Sequence, residues 1–196
     1  MKKTELVLKE ILYQAIEKKN RTLTQSYLAK RLSLSLSVVN YALRPLAQMG
    51  AIRINARNFI ITDPKKTLYY WASKRNIKKD IIYSTRAELP VKDIERQLPE
   101  GAVFGLYTGY KHLFKDVPAD YSEAYAYASD ITEIKRRFPK KEGMRANIFI
   151  IKNDDKISYG KTATIAQLFV DLWNTEEWYA KEFLKALEAK IDGLLE

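Results

Sequence analysis

Asn40 and Arg44 stand four residues apart in "SVVNYALRPL", so a helix carrying them holds an amide and a guanidinium on one side. The amide can pair bidentately with adenine and the guanidinium can reach guanine or a phosphate, which is hydrogen-bonding chemistry rather than bond making. Ser37, Val38 and Tyr41 fall on the same outward part of that segment. A second group, Arg53, Arg57 and Asn58, surrounds a polar turn in "AIRINARNFIIT", where it can enter a minor groove or clamp a backbone. Thr24, Gln25, Ser35, Lys65 and Lys66 stand as candidate phosphate contacts, Ser35 because a helix beginning there offers its N-terminal amides. For each of these residues solvated surface remains the other reading.

The rest of the chain offers little that could catalyse. His112 is the single histidine and there is no cysteine, which excludes a histidine or thiolate metal cluster. It reads as a packed or capping residue. Asp154-Asp155 pairs two carboxylates, but between "ANIFIIK" and "KISYGK" it marks a hairpin turn. "GLYTGYK" contains glycine without the GK[ST] ending of a phosphate loop and without a strand before it. Tyr121, Tyr125, Tyr127, Trp173, Trp178 and Tyr179 read as core and sheet surface. No catalytic residue, metal or cofactor is expected.

Positioning the first group needs helices. Residues 4 to 18 carry Leu6, Val7, Ile11, Leu12, Ala15 and Ile16 near helical spacing, with Thr4 as a cap. Thr24 caps a second helix whose inner face is Tyr27, Leu28, Ala29 and Leu32. In "KRLSLSLSVVNYALRPLAQMG" the residues from Leu32 to Val38 alternate as a strand would, yet a strand there would start inside the second helix and leave no room for a turn. Ser35 is therefore read as an N-cap, Ser33-Leu34 as the tight connection, and Val39, Leu43, Leu46 and Met49 as the buried stripe of a third helix ended by Gly50. Pro45 lies well inside that helix, where it removes a hydrogen bond and predicts a kink. The kink either bends the helix around its core or aims its N-terminal half, and the sequence does not separate the two.

Two short helices so joined form a helix-turn-helix, and "AIRI" and "FIIT" around "NARN" add a hairpin. "TQSYLAKRLSLSLSVVNYALRPLAQMGAI" thus resembles bacterial and archaeal winged-helix DNA-binding domains over residues 1–62. Charge agrees: residues 1 to 66 hold 13 Lys and Arg against 4 Asp and Glu, net +9, whereas residues 67 to 196 hold 21 against 20, net +1.

Residues 63–196 read as an α/β or α+β domain. A capped helix at "TDPKKTLYYWASKRN" leads into strands at "DIIYSTRAE", "YSEAYAYAS" and "ANIFIIKNDD". Helices are expected at "VKDIERQLP", "GAVFGLYTGYKHLF" and "DITEIKRRF", and a helical pair closes the chain. No apolar run reaches the roughly 18 residues of a membrane span, and charges interrupt the start of the chain, so a cytoplasmic protein is expected.

"GAVFGLYTGYKHLFKDVPADYSEAYAYAS" and "GKTATIAQLFVDLW", following the winged helix, resemble the AbiEi family of type IV antitoxins and related regulators. The resemblance implies a C-terminal domain of degenerate nucleotidyltransferase-like architecture without catalysis. It further implies repression of the chain's own promoter and antagonism of a nucleotidyltransferase toxin. The segment around Tyr110 and His112 departs from the family's Ser-Ala-rich run. Two rival functions stand beside it: a catalytically active nucleotidyltransferase-like enzyme, which would need a Gly-Ser step and an Asp-x-Asp pair that the sequence lacks, and a winged-helix adaptor that binds protein.

Overall fold

The structure is a computed structural model that describes residues 1–154 and 157–196. The turn read at Asp154-Asp155 therefore lies partly outside the described residues. Helix α1 (Lys3–Ile16) opens two residues earlier than a Thr4 cap would give, because the Glu5 carboxylate reaches back to accept the Lys2 N–H at 2.8 Å. Val7, Ile11, Leu12, Ala15 and Ile16 are buried as the spacing predicts. Lys9 and Glu10, charged residues between the apolar positions of this helix, are 2% and 0% exposed. C-terminal elements cover them.

Helices α2 (Gln25–Leu32) and α3 (Leu36–Gln48) follow with Thr24 and Ser35 as their caps. The turn between them rests on Ser33, which takes left-handed φ at 53°, while the Leu34 N–H donates to the Ala29 carbonyl at 2.9 Å. Tyr27 corrects the expected inner face: it is 38% exposed, and only its hydroxyl turns inward. Met49 is likewise only partly buried, and Ala42 joins Val39, Leu43 and Leu46 in the buried stripe. Helix α3 runs unbroken through Pro45.

Strands β2 (Ile52–Ile54) and β3 (Phe59–Ile61) pair antiparallel as the expected hairpin. A third strand, β1 (Thr22–Leu23), not expected from the sequence, pairs with β3. Two residues are too few to show alternation. Helix α4 (Pro64–Lys74) begins at the Asp63 cap, whose carboxylate accepts the Lys66 N–H at 3.0 Å.

The second sheet has the order β4 (Ile81–Thr85), β7 (Ile148–Lys152), β6 (Ala124–Ala128) and β5 (Val103–Phe104). Its middle pair β6 and β7 is parallel and both outer pairs are antiparallel, so the architecture is α+β with two sheets. In β6, "AYAYA", Tyr125 and Tyr127 face one core while Ala124, Ala126 and Ala128 face a smaller one built with Ile94, Ile134 and Phe138. Helices α5 (Val91–Gln97) and α7 (Thr132–Arg137) supply that smaller core, and α6 (Leu106–Phe114), α8 (Ile165–Trp173) and α9 (Ala180–Leu195) lie over the tyrosine face.

"GAVFGLYTGYKHLF" is thus not one helix. It divides at Gly105 into β5 and α6, so "GLYTGYK" does follow a strand. Packing explains Gly109: a Cβ there would lie 2.6 Å from the Leu168 side chain and 2.9 Å from the Phe104 carbonyl oxygen. Trp173 and Trp178 are 51% and 75% exposed and do not belong to the core expected of them, unlike Tyr125, Tyr127 and Tyr179. One continuous set of buried residues runs from Val7 to Ile191, joining α1 and α4 to α8 and α9.

Candidate nucleic-acid interface

Helix α3 divides cleanly between its two sides. Val39, Leu43 and Leu46 are 0% exposed, whereas Ser37, Tyr41 and Arg44 face solvent and Val38 and Asn40 are half-buried. Ser35 Oγ accepts the Val38 N–H at 3.4 Å and lies 2.9 Å from Ser37 Oγ, which fixes the first turn. Arg44 Nε donates to Asn40 Oδ1 at 3.2 Å. That bond occupies Nε and one lone pair of Oδ1, and leaves the two terminal guanidinium nitrogens and the Asn40 amide N–H groups as donors for an incoming acceptor.

In the wing, Arg53 on β2 and Arg57 in the turn are exposed. Asn58 is more constrained: its Oδ1 accepts from Asn55 Nδ2 at 2.8 Å, and its carbonyl accepts the Asn55 N–H at 2.8 Å. Ile54, at the end of β2, is 47% exposed.

The candidate phosphate contacts fare unequally. Thr24 is exposed, although its hydroxyl already accepts the Tyr27 N–H at 3.0 Å, and Gln25 is half-buried. Lys66 is exposed, with its ammonium 3.4 Å from the Met49 carbonyl oxygen and 3.9 Å from Asp63. Lys65 instead lies 2.8 Å from Asp192 and 3.2 Å from Glu188 on α9, and hydrogen bonding to Asp192 leads the effects that push its pKa up. Its charge is neutralised within the molecule.

Lys2 and Lys3 join these residues in space, although nothing local in the sequence ties them to α3. Both are exposed at the start of α1 and line a hollow of about 470 Å³ with Ser37, Val38 and Tyr41. A neighbouring hollow brings Lys74 of α4 and Gln48 beside Tyr41 and Arg44. The basic surface at α3 is therefore assembled from three helices. Not all of the N-terminal charge contributes, since Lys9 is buried and Arg31 Nε is bound to Glu10 Oε1 at 2.6 Å.

His112 lies on the outer side of α6, with its ring 5.0 Å from that of Phe104. Partial burial, together with the positive charges of Lys115 and Lys161, lowers its pKa below the ordinary histidine value. Among the described residues, no three His, Asp or Glu side chains cluster to hold a metal ion.

A family model described as winged helix-turn-helix DNA-binding matches residues 8–53, from within α1 to within β2. This portion of the chain is a winged helix-turn-helix DNA-binding domain, a class that binds double-stranded DNA and regulates transcription. Comparison with curated proteins and with solved structures gives no match. Among the described residues no helix is long and apolar enough to cross a membrane.

Proposed function

We propose that the chain is a cytoplasmic, sequence-specific regulator that represses its own promoter as an AbiEi-like antitoxin. In this reading Asn40 and Arg44 act as one base-reading unit, with Ser37, Val38 and Tyr41 beside them. Arg53, Arg57 and Lys66 with Lys2 and Lys3 hold phosphates, and Thr24, Gln25 and Asn58 border them. Lys65 is left out because α9 carboxylates already neutralise it.

The carrying observation is the asymmetry of α3. One side is sealed into the core while Tyr41, 67% exposed, and Arg44 stand open between the start of α1 and the end of α4. A helix seated this way can enter a major groove N-terminus first, with the wing reaching the adjacent backbone.

The C-terminal part, a mixed four-stranded sheet under α6, α8 and α9, is assigned a degenerate nucleotidyltransferase-like architecture that binds a nucleotidyltransferase toxin without catalysing a reaction itself. The support is the resemblance of "GAVFGLYTGYKHLFKDVPADYSEAYAYAS" and "GKTATIAQLFVDLW" to that family. Two experiments separate the halves of this proposal. A reporter driven by the sequence upstream of the gene should be repressed by the wild type and released by Asn40→Ala with Arg44→Ala. Growth arrest caused by an adjacent nucleotidyltransferase should be relieved by the same double variant; arrest that persists with wild-type protein present would reject the antitoxin role and leave the regulator standing.

A further inference from the structure

A cavity of about 910 Å³ opens between β5, the end of α5 and the segment that leads into α8, a size typical of small-molecule sites. Gln167 of α8 lines it and is 1% exposed. The orientation of its amide follows from its neighbours. Tyr127 gives its hydroxyl hydrogen to Asp171, which Arg75 Nε also binds at 2.8 Å. The Tyr127 oxygen can then only accept, so Gln167 must offer it an N–H, and the Gln167 Oε1 is left buried with no hydrogen-bond partner among the described residues. A buried acceptor without a donor is a cost that a ligand N–H or O–H removes.

Phe104 and the His112 ring against it give the cavity an aromatic wall. Lys161 is fixed on the rim, because its carbonyl accepts the Phe104 N–H at 2.9 Å, and its side chain is exposed. Arg96 also lines the cavity but is paired with Asp93 at 3.3 Å, Glu100 lines it too, and Glu95 is already met by Lys111 at 2.7 Å, so Lys161 is the rim cation that the site offers.

The same cavity touches the DNA-binding domain. Tyr159 lines it and donates its hydroxyl to Glu10 Oε2 at 2.7 Å. The other oxygen of Glu10, a fully buried residue of α1, is held by Tyr27 at 3.2 Å and Arg31 at 2.6 Å, both on α2. Helix α2 is joined to α3 by the short turn at Ser33.

We propose that this cavity is an effector site for a small aromatic carboxylate carrying an N–H or O–H donor, and that its occupancy is passed through Tyr159 and Glu10 to the helix-turn-helix. The donor meets Gln167 Oε1, the ring lies on Phe104, and the carboxylate faces Lys161. The transmission half rests on the DNA-binding reading; the binding half does not.

The test uses the full chain and indole-3-acetate, followed by calorimetry. Saturable one-site binding is expected, weakened at least tenfold by 1-methylation of the indole nitrogen, by replacing the carboxylate with a hydroxymethyl group, and by the surface change Lys161→Ala. Absence of saturable binding, or binding indifferent to all three changes, overturns the site. In parallel, saturating indole-3-acetate should shift the affinity for the upstream duplex at least threefold in the wild type. It should shift Tyr159→Phe by less than a third of that when calorimetry shows the variant to be saturated with indole-3-acetate. Binding of both ligand and duplex with no shift overturns the transmission. Loss of duplex binding altogether rejects the DNA reading, while the calorimetry still decides whether the cavity binds.

Discussion

Arg75 Nε meets Asp171 Oδ1 at 2.8 Å, with side chains 1% and 0% exposed, and so ties the end of α4 to the last turn of α8. Asp80 also binds this guanidinium, and Tyr127 donates to the second oxygen of Asp171. Removing Asp171 leaves Arg75 Nε and the Tyr127 hydroxyl buried without their acceptor, with Asp80 left to compensate the charge directly, and breaking a buried pair in this way costs far more than the pair contributes. Asp171→Ala should therefore lower stability by about 3–5 kcal/mol in urea unfolding. A loss below about 1 kcal/mol, the range of an exposed pair, would mean that water reaches Arg75.

Close packing at Gly109 gives a second expectation. The Phe104 carbonyl oxygen that an added Cβ would meet at 2.9 Å is backbone and cannot swing away. Gly109→Ala should destabilise the chain by roughly 1–3 kcal/mol as an overpacked core does, despite alanine's better helix propensity. Thermal unfolding of the variant at or above the wild-type midpoint would contradict this packing.

Glu17 accepts the Ile165 N–H at 2.8 Å and so caps α8 from the end of α1. Burial raises its pKa above the ordinary 4.5, outweighing the lowering by that hydrogen bond and by Lys18. The folded state then binds this proton more tightly than the unfolded chain, so the Glu17 contribution falls as pH rises from 4.5 through the raised midpoint. Glu17→Gln keeps an acceptor and removes the charge. Its urea midpoint should vary less than the wild type's over that window, and parallel profiles would remove Glu17 as the cause.

The winged helix is legible in the sequence because its signals are local. Thr24, Ser35 and Gly50 mark boundaries within a few residues of the helices they limit, and the Val39, Leu43, Leu46 stripe repeats at helical spacing. What escapes depends on distant partners. Lys65 resembles any basic residue near a wing until Asp192 of α9, 127 residues away in sequence, binds it. Lys2 and Lys3 join the α3 surface only through the packing of α1 on α3, and "GAVFGLYTGYKHLF" hides a two-residue strand because β5 needs β6 to exist. Buried Lys9 and Glu10 look like a solvated face until the C-terminal elements cover them.

Base reading and backbone holding should separate on titration. Asn40→Ala or Arg44→Ala should cost about 1–3 kcal/mol on the cognate duplex, roughly 5- to 150-fold in Kd, and little on unrelated DNA. Arg57→Ala should weaken both duplexes alike and reduce the salt slope by about one. The opposite pattern would exchange the roles of α3 and the wing.

Fluorescence anisotropy with the upstream duplex and a shuffled duplex of equal composition, repeated from low to physiological salt, decides whether α3 reads base sequence. Recognition through α3 predicts that the upstream duplex binds at least about a thousandfold more tightly at physiological salt, with both affinities falling as salt rises. Equal affinity for the two duplexes at every salt concentration would contradict it.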